Sequence, residues 1–200
     1  MMAQKEQIII ATNNDGKLRE FQKLFAAKNI EVTSLKNYPE IGKIAETGMT
    51  FEENATIKAS AVAKKTKLPV LADDSGLEVD ALNGRPGIFS ARYAGDHDDA
   101  ANNAKLLSEL AGVPVEKRTA TFHTTLVLMK PDDSKLVVDG ELRGRILAVP
   151  RGDNGFGYDP LFWVPEKNQS LAEMTAEEKN TISHRGRASQ KLLKVFDDWW

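Results

Sequence analysis

A mixed α/β fold is predicted, a twisted mixed sheet flanked by helices, from three features of the sequence. Short apolar runs of strand character are interleaved with stretches whose apolar residues recur at helical spacing. Two of the strand runs are separated only by a short polar turn, which favours a hairpin pair beside the crossovers, hence a mixed sheet. No repeat, low-complexity tract or linker divides the 200 residues, so a single domain over 1–200 is expected.

Gln7 to Ala11 predicts a short buried strand, since Ile8, Ile9 and Ile10 are β-branched and continuous. Thr12 to Gly16 is a turn rich in Asn and Gly, with Asn14 as the cap of the helix that follows, whose Leu18, Phe21, Leu24 and Phe25 share one face. Thr50 opens a second helix: Thr50 and Glu53 have capping-box spacing, and Phe51, Ala55, Ala59 and Val62 continue an apolar stripe. Pro69 to Ala72 returns as a strand that ends in an Asp73-Asp74-Ser75-Gly76 string. After a turn-rich stretch, Asn83 to Gly95, a helix is expected from about Asp99 to Leu110, capped by Asp98. Thr119 to Met129 alternates as a strand, and Leu136 to Val149 is its neighbour through Pro131-Asp132-Asp133-Ser134. The loop Arg151 to Gly157 leads to the apolar run Leu161 to Val164. A brief helix follows Thr175, which has capping-box spacing to Glu178, and a last helix after Ser183 buries Ala188, Leu192 and Phe196.

Composition excludes several classes of function. With no cysteine there is no disulfide, thiolate metal site or cysteine nucleophile. Lysine and arginine total 27 against 29 acids, a formal charge of −2, which argues against a protein built to coat nucleic acid. No stretch approaches the roughly 20 apolar residues that span a bilayer, and the polar segment Met1 to Gln7 lacks the apolar block of a signal peptide. No membrane partner is expected, and the cytoplasm is the expected location.

Four stretches carry candidate chemistry. Thr12-Asn13-Asn14-Asp15-Gly16-Lys17 lies between strand and helix, where free backbone N–H groups and the helix dipole attract an anion such as phosphate. Lys17 in the first helical turn opposes that dipole, a penalty that an anion would remove. The alternative is a turn that merely starts a helix. Asp73-Asp74 offers hard carboxylate oxygens to Mg²⁺, which takes its remaining ligands from water and substrate phosphates; the alternative is a solvated Asx-turn. Adjacent strand residues point to opposite faces, so one of the two acids is expected to face the substrate. Ser75 lacks the G-x-S-x-G context of an acyl-transfer nucleophile.

Gly155-Phe156-Gly157-Tyr158-Asp159-Pro160 offers aromatic rings that can stack on a purine, and a carboxylate that can accept from its ring N–H groups, or else a loop that packs on the core. Lys179, His184 and Arg185 gather donors near a helix junction, or form a charged surface. A donor-rich pocket suits a 6-oxo purine and opposes the amino group of adenine. Asp96-His97-Asp98-Asp99 is read as a helix start with acids near its positive end, His123 as part of a polar strand face, and Trp199 and Trp200 carry no assigned chemistry.

Taken together these stretches resemble the inosine triphosphate pyrophosphatase family, the non-canonical purine (XTP/dITP) pyrophosphatases, from Ile8 to Leu193. The likeness is carried by Ala11 to Lys17, Glu46-Thr47-Gly48, Phe51-Glu52-Glu53-Asn54-Ala55 and Ala72 to Leu77. It continues in Arg85-Pro86-Gly87, Ser90-Ala91-Arg92-Tyr93, Phe156 to Pro160, Glu178-Lys179 and Ser183-His184-Arg185. The resemblance implies an elongated fold of two lobes with a cleft between them, a homodimer, and Mg²⁺-dependent release of pyrophosphate from ITP, dITP and XTP. It implies that Thr12, Asn14 and Lys17 hold the triphosphate with the backbone of Asn13, Asp15 and Gly16. Asp74 is the implied catalytic, metal-binding carboxylate, with Ser75 beside the substrate. Phe156, Gly157, Tyr158 and Asp159 would enclose the base, and Lys179, His184 and Arg185 would read its keto edge.

The sequence departs from that family at two places. Asn13 stands where many relatives have Gly, a mild change in a turn. Ala45 stands where bacterial relatives carry a metal-binding acid, which leaves the second ligand to Glu46 or to water. The expected reaction is attack of water on the α-phosphorus, with Asp74 as metal ligand, proton acceptor or both, and with Lys17 supporting the leaving pyrophosphate. Competing expectations are a pyrophosphatase for modified pyrimidine nucleotides, a nucleotide sensor without turnover, and a structural or nucleic-acid-binding module.

Overall fold

The structure, a computed structural model, describes residues 6–26, 28–96 and 98–200. The expectations for Met1 to Lys5 and for His97 lie outside these residues. The chain runs β1 (Gln7–Ile10), α1 (Asp15–Ala26), β2 (Glu31–Ser34), α2 (Phe51–Thr66), β3 (Val70–Val79) and α3 (Asp99–Glu109). It continues through β4 (Thr119–Met129), β5 (Lys135–Ile146), β6 (Phe162–Val164), β7 (Gln169–Ser170), α4 (Ala176–Ile182) and α5 (His184–Trp199), with short 3₁₀ turns between.

The strands form one seven-stranded sheet in the order β2-β1-β3-β4-β5-β6-β7. β1 is parallel to β2 and β3, whereas β6 is antiparallel to β5 and β7, so the sheet is mixed, as expected. The parallel part needs residues that are apolar on both faces, and Ile8, Ile9 and Ile10 are fully buried. β2 escapes the sequence reading because it is a half-exposed Glu-Val-Thr-Ser edge strand with no apolar run.

The chain divides into two compact units. The first takes the chain through Asp74, with Thr125–Val138 and Lys191–Trp200. Its core packs the α2 stripe of Ala55, Ala59, Val62 and Ala63 on Ile9, Val70, Ala72 and Val127. The end of α5 belongs here: Phe196 meets Phe25, the Trp200 indole donates to Glu6, and the Lys130 ammonium lies over the Trp199 ring. The second unit comprises Ser75–Thr124 and Asp139–Gln190. Leu77, Leu106, Leu110, Phe122, Tyr158 and Phe162 are among its buried residues.

Two local expectations are corrected. β3 does not end at Ala72 but runs through the Asp73-Asp74-Ser75-Gly76 string to Val79, because those polar side chains find partners and need no Asx-turn. At α2 the Thr50 hydroxyl accepts from the Glu53 amide, while the Glu53 carboxylate takes the Met49 amide instead of that of Thr50. The reciprocal box is complete at Thr175 and Glu178 before α4. Among the described residues no helix is long and apolar enough to cross a membrane.

Candidate active site

In the first unit, β1 delivers the chain into Thr12 to Asn14, and Asn14 caps α1. Its Oδ1 accepts from the amides of Gly16 at 2.8 Å and Lys17 at 3.1 Å, while Thr12 Oγ1 accepts from the amide of Asn14. Three backbone donors expected to face an anion are thus occupied by the loop's own side chains. Asn13 is exposed, and the exposed Asp15 turns to Lys36 at 2.5 Å, a bond that holds the Asp15 carboxyl below its ordinary range. Lys17 reaches Asp73 at 2.6 Å, because the parallel pairing of Ile10 with Leu71 sets the ends of β1 and β3 side by side. The anion that Lys17 needs in the first turn of α1 is therefore one the chain supplies.

Asp74, on the other face of β3, turns toward α2. Lys58 Nζ lies 2.8 Å from Glu46 Oε1 and 3.5 Å from Asp74 Oδ1, so both carboxylates converge on one ammonium. The Glu46 segment is laid against α2 by Asn54, whose Oδ1 accepts from the Gly48 amide at 2.8 Å. A Cβ on Gly48 would stand 2.6 Å from Glu53 Cβ, so this close approach requires glycine. Burial pushes the Asp74 carboxyl above the ordinary aspartate value and Glu46 adds to this, against the pull of Lys58 and Lys17. Burial alone would lower Lys58, but Asp74, Asp73 and Glu46 outweigh it and raise it, which favours its charged form.

The donor chemistry here fits a hard divalent cation. Glu46 and Asp74 present carboxylate oxygens to the Lys58 ammonium, and hard oxygens of this kind also suit Mg²⁺. Among the described residues no group of three or more His, Asp or Glu side chains forms a fuller cage. The remaining ligands would be water and substrate phosphates, as Mg²⁺ prefers.

In the second unit the loop around Phe156 is organised by Asp159. This buried carboxylate accepts from Lys179 Nζ at 2.5 Å and from the amide of Phe156 at 2.9 Å. A Cβ on Gly155, where φ is +80°, would fall 2.1 Å from Asp159 Oδ2. The half-exposed Phe156 ring has Lys179 Nζ 4.7 Å and Arg185 Cζ 5.6 Å from its centroid. Tyr158, expected with its neighbours to enclose the base, is buried in the core, and its hydroxyl donates to the Ser90 carbonyl at 2.9 Å. Burial raises that phenol well above its ordinary value. Asp159 is likewise committed to Lys179 and the loop rather than turned outward.

His184 and Arg185 open α5, and both are buried. The His184 imidazole stacks on Phe122 with centroids 4.7 Å apart and an interplanar angle of 10°. The junction with α4 is tight: the Ser183 hydroxyl accepts from the Gly186 amide, and a Cβ on Gly186 would lie 1.9 Å from the Asn180 carbonyl oxygen. Ser75 Oγ and Thr124 Oγ1 share a hydrogen bond of 2.5 Å.

The structure therefore brings Lys17, Asp73, Asp74, Lys58 and Glu46 together in the first unit, and Phe156, Asp159, Lys179 and Arg185 in the second. Sequence reasoning missed Lys58, and it named Asp73 without its pairing to Lys17. The signal for Lys58 was present, since a lysine four residues after Asn54 and flanked by Ala55 and Ala59 sits beside a buried stripe.

A model of the Ham1 family matches residues 8–195. A dITP/XTP pyrophosphatase of Lactiplantibacillus plantarum is 61% identical over 199 residues, covering 100% of this chain and 98% of that one. A dITP/XTP pyrophosphatase of Streptococcus agalactiae is 53% identical over 97% of this chain, which spans only 60% of that longer protein. The structure of a HAM1 protein from Coxiella burnetii superposes with a TM-score of 0.89 at 44% identity, covering 96% of this chain and 99% of that one. With nearly all of its length matched in sequence and in fold, the chain belongs to the Ham1 family.

Proposed function

We propose that this protein is a nucleoside triphosphate pyrophosphatase that hydrolyses ITP, dITP and XTP to the monophosphate and pyrophosphate, removing deaminated purines from the nucleotide pool. The observation that carries it is the convergence of Glu46 and Asp74 on one cationic point beside the Lys17 pair. The relatives named dITP/XTP pyrophosphatase support the substrate class.

The residues 1–200 act as one pyrophosphatase domain in this reading. The triphosphate binds at Thr12 to Lys17, with Lys17 exchanging Asp73 for the leaving pyrophosphate. Ser75 lies beside the substrate. Asp74 and Glu46 hold Mg²⁺, which supplies charge neutralisation and Lewis-acid polarisation of the phosphates when bound. A water oxygen bonds to the α-phosphorus, its proton passes to the Asp74 carboxylate, and the bond from the α-phosphorus to the bridging oxygen breaks. The raised proton affinity of buried Asp74 suits it to that acceptance.

The base stacks on Phe156 along the Gly157 backbone, and Lys179, His184 and Arg185 offer donors to its keto edge. Adenine would set an amino donor against those donors, which disfavours it. Asp159 acts by holding Lys179 and Phe156, and Tyr158 by anchoring the loop. The proposal extends to a homodimer working in the cytoplasm, where nucleoside triphosphates are found, with no need of a nucleic-acid or membrane partner. Pyrophosphate release measured over ITP, dITP, XTP, ATP and modified pyrimidine triphosphates, with and without Mg²⁺, tests it. Fast release from the 6-oxo purines alone, only with the metal, is expected; binding without release would leave a sensor.

A further inference from the structure

The start of α3 does more than cap a helix. Asp98 is the cap, its side chain accepting from the Ala101 amide at 2.9 Å. Asp99, in the next position, sends its carboxylate away from the helix: Oδ2 accepts from the backbone amide of Gly157 at 2.7 Å. Asn103, one turn later on the same face, donates from Nδ2 to the Gly157 carbonyl at 2.9 Å. Two side chains of one helix thus grip both polar groups of a single loop residue. Gly157 has φ +63°, a conformation other residues rarely adopt, so the grip falls on the residue that sets the direction of the loop.

What this holds in place is the residue before it. The Phe156 amide donates to Asp159 Oδ2, the Asp159 amide donates to the Phe156 carbonyl, and the peptide that follows is tied to Asp99. With its backbone fixed on both sides, the Phe156 ring stands against Lys179 and Arg185. The helix that carries both side chains is anchored, since Leu106 and Leu110, after Asn103, are fully buried in the same core as Tyr158. Asn103 makes its bond to Gly157 while its own Oδ1 stays buried without a hydrogen-bond partner among the described residues. A residue serving only the helix would gain nothing by that, since a buried unpaired oxygen destabilises the fold.

We propose that Asp99 and Asn103 are positioning residues for base binding, clamping Gly157 so that the Phe156 ring is already in place when a purine arrives. This rests on the reading of Phe156 as the base platform. Preorganisation of that kind contributes to binding of the ground state and the transition state alike, so its loss appears in KM and not in kcat.

The test uses the full chain with Asp99→Ala, Asn103→Leu, their combination, and Asp99→Asn. Each of the first two should raise KM for ITP about tenfold, the scale of one lost charge-assisted or buried hydrogen bond, with kcat within about twofold. The combination should cost far less than the product of the two, because both act on one residue. Asp99→Asn keeps an acceptor for the Gly157 amide and should recover most of the KM. Amide hydrogen exchange over 155–158 should accelerate in Asp99→Ala, and this readout decides the clamp whether or not the chain turns over. Unchanged KM in an active chain, a fall in kcat alone, or unchanged exchange would overturn the proposal. Absence of pyrophosphate release from the unaltered chain would instead overturn the function proposed above.

Discussion

Lys17 and Asp73 form a largely buried ion pair of 2.6 Å that ties the first turn of α1 to the first half of β3. The pair answers the unfavourable placement of a lysine at a helix N-terminus, and a phosphate bound at Lys17 would have to displace a carboxylate. Asp73→Asn should therefore destabilise the protein by about 3 kcal/mol, as removal of one partner of a buried pair does. Added pyrophosphate should restore more stability to the variant than to the parent. Thermal unfolding with and without pyrophosphate measures this, and equal shifts in both proteins would remove Lys17 from the phosphate site.

Asp74 is held above the ordinary aspartate value of 3.8 chiefly by burial. The neutral form is favoured in the fold, and that contribution is lost as the pH rises from 3.8 through the raised value. In the metal-free protein the carboxylate is therefore lost on the acid side at a pH above 3.8. Titration of the metal-free protein, followed by NMR of the Asp74 carboxyl, should show that raised midpoint. Asp74→Asn should lower turnover by at least about a hundredfold while circular dichroism shows the fold retained. A metal-free midpoint at or below 3.8 would remove the raised proton affinity, and near-normal turnover in the variant would exclude Asp74 as the acting carboxylate.

Lys58 joins Glu46 and Asp74, so Lys58→Met leaves two acids facing each other across an apolar side chain. A loss of about 3 kcal/mol is expected in denaturant unfolding at neutral pH. Combining it with Asp74→Asn should recover part of that loss, since one of the two charges is then gone. Full additivity of the two changes would mean that the shared ammonium is not what holds these carboxylates.

Replacing glycine by alanine inside a helix ordinarily stabilises it by about 1 kcal/mol. Gly186 should do the reverse. Its Cβ would stand 1.9 Å from the Asn180 carbonyl oxygen, so Gly186→Ala must push α4 from the start of α5. A stability loss of about 2 kcal/mol is expected from such overpacking. KM for ITP should rise as Lys179 and His184 move apart, and a variant of unchanged Tm and KM would refute the tight junction.

The sequence made the elements legible wherever periodicity and capping agreed. The α2 stripe from Phe51 to Val62 and the Thr175 and Glu178 pair are found where they were read. It was silent on β2, where Glu31 to Ser34 has neither a run nor an alternation to show. Asp73 and Asp74 were visible as candidate chemistry, but their strand conformation was not. A string of Asp, Asp, Ser and Gly has the composition of a turn, and only partners distant in sequence, Lys17, Lys58 and Thr124, keep it extended. Tyr158 shows the opposite limit. Its spacing beside Phe156 cannot tell a ring that meets a ligand from one that fills a core. Asp99 was read by its place near a helix start, and that local reason concealed its bond to Gly157, far away in the chain.

Hydrolysis of ITP in ¹⁸O-labelled water, with products separated and weighed by mass spectrometry, shows which phosphorus the water attacks. Attack on the α-phosphorus predicts one labelled oxygen in the inosine monophosphate, unlabelled pyrophosphate, and little product from ATP. Label in the pyrophosphate, or inosine diphosphate and phosphate as products, would contradict it.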